Sequence, residues 1–205
     1  MNESAPYKLS FTAGGLLVGE SRIVLQAYDE TRNWADAKSL LLEENRLSER
    51  VESTASRKIQ EIRLRFEPRP DLLIGYMVEA DDEKFRLGSW YCVCAAYKLV
   101  EEFAISVVRE KVSAYDFYLS SEDYDRFFNS RADWHKELDG LTSTSATKIK
   151  TVMFRMLREA GLMTKDYRLY SIRLDQALEN LIEADRPDLL NIFPDETIGK
   201  VKQYG

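Results

Sequence analysis

Apolar residues recur at helical spacing through most of this chain, and a β pattern stands out in one place only. Tyr7 to Gly15 reads as an extended or loop lead-in. A helix then runs from about Leu16 to Tyr28 with Leu16, Leu17, Ile23, Val24 and Ala27 inward. Asn33 or Asp36 opens a second helix reaching about Asn45 and carrying Trp34, Leu40, Leu41 and Leu42. The next, Ser53 to Phe66, gathers Ala55, Ile59, Ile62 and Phe66 into one narrow arc and is stopped by Pro68 and Pro70.

From Asp71 to about Leu138 the pattern gives three or four helices, with Leu72, Leu73, Trp90, Leu99, Phe103, Val107, Val108, Phe127, Phe128 and Trp134 as core. A helix from Thr144 to Ala160 follows, apolar along Ile149, Val152, Met153, Met156, Leu157 and Ala160, and closed by Gly161. After Thr164-Lys165-Asp166, the alternating Tyr167-Arg168-Leu169-Tyr170-Ser171-Ile172 predicts a small β-hairpin. A final helix, about Leu174 to Ala184, packs Leu174, Ala177, Leu178 and Leu181, and the tail after Pro187 is short helix or coil. The expected fold class is therefore mainly α, a helical bundle with helix-turn-helix elements and a small C-terminal β-hairpin as a wing. No low-complexity linker divides it, so the regions 1–70, 71–140 and 141–205 are expected to form one compact unit.

Two short hydroxyl clusters, Ser53-Thr54-Ala55-Ser56 and Thr144-Ser145-Ala146-Thr147, each run into a basic amphipathic helix. Ser and Thr are favoured at helix starts because their oxygen accepts an orphan N–H of the first turn, and such an end suits phosphate. Charge is distributed to match. The chain carries net charge -6, yet Arg46 to Arg69 has 7 basic against 4 acidic residues and Leu141 to Arg173 has 7 against 2, flanking an acidic middle of 8 against 15. The second basic helix sets Thr144, Thr147, Lys148, Thr151, Arg155 and Arg158 opposite its apolar side, with Glu159 at the edge. The first places Ser56, Arg57, Lys58, Arg63 and Arg65 off its apolar arc, alternating with acids.

Enzyme motifs do not survive inspection. Gly14 to Ser21 matches a phosphate loop except that Glu20 stands where its Lys must sit. Pro70-Asp71 with Asp82-Glu83-Lys84 spells a metal-dependent nuclease pattern, but in helical context rather than on adjacent strands. His135 is the single histidine, too few with Cys92 and Cys94 for a zinc site without carboxylates. Neither catalytic residues, a metal, a cofactor nor a small-molecule substrate is expected. The longest uncharged apolar-rich stretch, Leu87 to Tyr97, falls short of the roughly 20 residues of a membrane span. With no signal-peptide pattern in MNESAPYKLS, a cytoplasmic protein is expected.

The segments Gly14-Gly15-Leu16-Leu17-Val18-Gly19-Glu20-Ser21, Leu42-Glu43-Glu44-Asn45, Ser53-Thr54-Ala55-Ser56-Arg57 and Leu157-Arg158-Glu159-Ala160-Gly161-Leu162 together resemble the BrxA family, small accessory proteins of BREX bacteriophage-defence operons. The resemblance implies a mainly helical, NusB-like protein able to bind DNA. It carries over no catalytic motif. The candidate nucleic-acid contacts are therefore those read from the helix faces, with Lys165 and Arg168 of the wing added to them. Duplex DNA is the expected partner, at low sequence specificity. Docking of larger BREX proteins on the acidic middle and NusB-like RNA binding are the alternatives.

Overall fold

The computed structural model describes residues 5–195, so the tail residues 196–205 lie outside the described residues. A 3-10 turn, Ser10–Ala13, leads into α1 (Val18–Thr31), α2 (Trp34–Glu43) and α3 (Glu52–Phe66). Leu17 precedes α1 in the left-handed region at φ 57°, which starts the helix later than Leu16. Asn33 is the cap of α2, its side chain accepting from the amides of Ala35 and Asp36.

Next come α4 (Asp71–Glu79) and α5 (Asp82–Ala96). In α5 the run Trp90 to Cys94 is buried at every position, which only a helix enclosed on all sides can do. It is the centre of the molecule, touched by α1, α3, α4, α6 (Lys98–Phe103) and the terminal 3-10 turn Pro187–Ile192. A π-helical stretch, Ala104–Arg109, joins α6 to α7 (Glu110–Ser113) without a break. The C-terminal part holds α8 (Ser121–Ala132), the short α9 (Lys136–Asp139), α10 (Ser143–Glu159) and α11 (Gln176–Asp185). Buried residues of all three regions belong to one hydrophobic cluster.

Several expectations need correction. The β-hairpin wing is absent. Among the described residues there is no strand, and Met163↔Leu169 and Tyr118↔Arg168 are isolated bridges. The reversal is a turn instead: the Thr164 amide donates to the Arg168 carbonyl at 2.8 Å, while the amides of Leu119 and Leu169 bond Tyr167 and Phe117 across to another segment. Leu72 is exposed because α4 turns Leu73, Ile74 and Met77 inward. Trp134 is 83% exposed because it lies in the link after α8, where that helix's period no longer places it. Ala177 is exposed and Ile182 takes its place in the core. The first hydroxyl cluster caps nothing, since α3 begins at Glu52 with Val51 as an uncapped start. The second lies inside α10, whose cap is Thr142, accepting from the Ser145 amide.

Candidate nucleic-acid interface

Helix α10 buries Ile149, Val152, Met153, Phe154, Met156 and Leu157. Opposite, Thr144, Thr147, Lys148, Thr151 and Arg155 are exposed and Arg158 is half-buried. Positions 144, 148, 151, 155 and 158 recur at steps of three and four, so they form one stripe along the helix. Among the described residues Lys148 and Arg158 form no ion pair. Thr151 donates to the Thr147 carbonyl at 2.9 Å, which leaves its oxygen as an acceptor. Lys150, off the stripe, is taken by Asp125 at 2.8 Å and Ser121 at 2.7 Å.

Arg155 is positioned by the lead-in loop. Its guanidinium lies against Gly15, where an added Cβ would stand 2.6 Å from Nη2, and Gly15 has φ +71°. The positive φ favours glycine there, and a Cβ would displace the Arg155 guanidinium from this seat. Glu159 approaches Arg155 at 3.5 Å and accepts the Leu16 amide at 2.8 Å. The glycine-rich motif thus serves as a seat for α10. Glu20 within it pairs with Lys58.

The cations of α3 are differently placed. Lys58 is held between Glu20 at 2.7 Å and Glu49 at 2.6 Å, bonds that raise its pKa. Burial pushes Glu20 upward, but the bond from Lys58, a bond from its own backbone amide and the Lys58 charge together outweigh this and hold the carboxyl below the usual range. Arg63 grips Glu67 through two bonds, at 2.8 and 2.6 Å. Arg65 is a buried residue and has to be removed from the candidate contacts: its side chain is 0% exposed, bound to Glu61 at 2.8 Å and to the Leu16 carbonyl at 3.0 Å. Among the described residues, Arg57 alone of the α3 cations is exposed without an ion pair, beside a half-buried Ser56.

Beyond α10, Leu162 bonds back to Leu157 and Gly161, at φ +80°, to Arg158, closing the helix in a Schellman arrangement. The turn that follows exposes Lys165 and Arg168, the latter 5.8 Å over the Phe117 ring. Sequence reasoning missed what this turn packs against. Tyr118, Tyr167, Phe154, Thr151 and Arg158 line a groove of about 440 Å³, with Lys150 and Glu122 also on it. The cluster Tyr115, Phe117 and Tyr118 in a polar stretch was the available signal.

The enzyme-like motifs are spread over structural positions. Asp71 and Asp82 open α4 and α5, bonded by Tyr28 and Arg22 respectively. Cys92 and Cys94 are buried in α5, and burial pushes the Cys92 thiol up to about 12. His135 stacks on Tyr7 at 4.0 Å and its Nδ1 lies 2.8 Å from Glu137. Among the described residues no group of His, Cys, Asp or Glu is placed to hold a metal ion, and no helix is long and apolar enough to cross a membrane.

A crystal structure of an uncharacterized protein from Magnetospirillum magneticum is similar over 94% of this chain and 100% of that one, at 19% identity and a TM-score of 0.78, which establishes the shared fold. No curated protein matches the chain. The BrxA family model matches residues 5–186, nearly the whole described structure, and the chain belongs to the BrxA family of BREX-associated proteins.

Proposed function

We propose that this protein is a non-enzymatic DNA-binding accessory component of its BREX system, holding duplex DNA at low sequence specificity through the exposed stripe of α10. One observation carries the reading: among the described residues Lys148 and Arg158 form no ion pair, whereas the α3 cations other than Arg57 are matched by neighbouring carboxylates. Helices α8, α9 and α10 supply the order of a helix-turn-helix, with α10 as the helix presented to the groove. The stripe carries no Asn or Gln to read adenine, so backbone contacts dominate.

Fluorescence anisotropy with a duplex at several salt concentrations tests this. Contacts by Lys148, Arg155, Arg158 and Lys165 give a log–log salt slope of about −3 to −4. A Lys148→Gln/Arg155→Gln variant should lose close to two such contacts and Arg57→Gln at most one. Equal binding by wild type and the double variant would eliminate the α10 face. Competition by structured RNA decides between DNA and RNA as the preferred partner.

The exposed indole of Trp134 supports a second reading, a docking point for another BREX protein on the acidic middle. Co-purification from a nuclease-treated lysate expressing the operon, lost in Trp134→Ala, would favour it.

A further inference from the structure

We infer that the groove between α10 and the start of α8 receives one unpaired nucleotide of a DNA strand, its base against the rings of Tyr118 and Tyr167 and its phosphate on Arg158. This rests on the proposal that α10 lies along DNA, and adds to it a preference for strand ends, gaps or extruded bases.

Five observations converge. Tyr118 and Tyr167 keep 58% and 41% of their surface exposed and both open onto the groove, while Phe154 on the same wall is buried. A ring left in water beside a cation is the usual provision for base stacking. Tyr167 also has φ +61°, an unfavourable conformation for an aromatic residue, held by bonds from the Leu119 amide to its carbonyl and from its own amide to Thr164. These bonds hold the turn at Tyr167 and with it the place of the ring on the groove.

The charges select the ligand further. Lys150 is already matched by Asp125, Glu122 stands on the rim, and Arg158 is the cation left without an ion pair. A di- or triphosphate would meet one free cation and one carboxylate, which disfavours it. A single phosphodiester with its base suits this arrangement, and the Glu122 carboxylate can accept from a base N–H such as N3–H of thymine. Thr151 and Arg158 belong both to the α10 stripe and to the groove, so a strand that follows the helix leads into it. A space of about 440 Å³ lies within the usual range of ligand pockets.

The test uses the full chain and three labelled probes: a blunt duplex, the same duplex with a short oligothymidine overhang, and one whose overhang is abasic. The expected result is binding about tenfold tighter to the thymidine overhang than to the blunt or abasic probes. Tyr118→Ala and Tyr167→Ala should each erase most of that gain without changing blunt-duplex affinity, while Tyr118→Phe retains it. Because Tyr118 is exposed, its alanine variant should melt with wild type, which separates lost stacking from lost folding. Equal affinity for all three probes would overturn the groove and leave the duplex reading standing. Equal gain from thymidine and abasic overhangs would overturn stacking. Binding of the overhang with none of the blunt duplex would keep the groove and remove the α10 duplex contact, and failure to bind any probe would remove both.

Discussion

Replacing Arg65 by Met should cost stability rather than DNA affinity. The Arg65 side chain is 0% exposed and Glu61 only 10%, with Nε and Nη2 donating to Glu61 Oε1 at 3.1 and 2.8 Å. The third bond, 3.0 Å from Nη1, satisfies the Leu16 carbonyl. Tyr97 also donates to Glu61, and burial together with that bond pushes the Tyr97 phenol up to about 12. Methionine fills similar space but leaves a buried carboxylate with only a phenol beside it. Breaking a buried pair in this way costs about 3–5 kcal/mol. At 2–4 °C per kcal/mol for a chain of this size, the melting temperature should fall by roughly 6–20 °C. Arg65→Met/Glu61→Met removes both charges, and the residual cost is the orphaned Leu16 carbonyl, about 1–3 kcal/mol. Urea unfolding followed by circular dichroism measures both, with anisotropy on duplex DNA run at a temperature where each variant is folded. A single variant within about 1 kcal/mol of wild type, the range of an exposed pair, would refute the reasoning. So would a double variant less stable than the single, or a loss of DNA affinity by folded Arg65→Met.

The other expectations are more local. Gly15→Ala, at φ +71°, should destabilise by about 1–2 kcal/mol with the flexible Arg155 guanidinium displaced, and an Arg155→Ala background should leave that cost nearly unchanged, measured by urea midpoints. Burial raises the Asp175 carboxyl, but its bonds from the Tyr76 hydroxyl and the Leu178 and Ala177 amides outweigh this and lower its pKa. A carboxylate lowered on folding contributes stability that is present above its ordinary value of 3.8 and lost as pH falls through the folded value. The urea midpoint should therefore drop more steeply below about pH 4 in wild type than in Asp175→Asn. Lys148→Ala should reduce the DNA salt slope by about 0.9, whereas Lys58→Ala should leave it unchanged, since Lys58 already faces two carboxylates.

Helix existence was legible because apolar period is a local property of sequence: the arc Ala55, Ile59, Ile62 and Phe66 is buried as read. Edges were less legible. Leu72 and Trp134 are large and apolar, yet which side of a short helix or link meets the core depends on partners distant in the chain. The hairpin failed for a related reason. Alternation at Tyr167 to Ile172 is genuine, but its pairing is divided between the near side of the turn, at Met163, and the distant Phe117 to Leu119 stretch, and remains at isolated positions on both. The helix-start clusters misled because Ser and Thr are tolerated throughout a first turn as well as before it.

For the candidate interface, the deeper limit was the meaning of charge. A count of +3 over Arg46 to Arg69 assigns every Arg to the surface, but Lys58, Arg63 and Arg65 are matched by Glu20, Glu49, Glu67 and Glu61, three of which lie outside α3. What such a count cannot register is that the two helices share the backbone of Leu16. Its carbonyl accepts from Arg65 of α3 and its amide donates to Glu159 of α10. The two basic helices are thus tied to one loop, one through a buried cation and the other through the carboxylate that neighbours Arg155. In this arrangement α3 and α10 are both packed on the lead-in loop, so Arg65 of the first basic helix adds to the stability of that packing and makes no contact of its own with DNA.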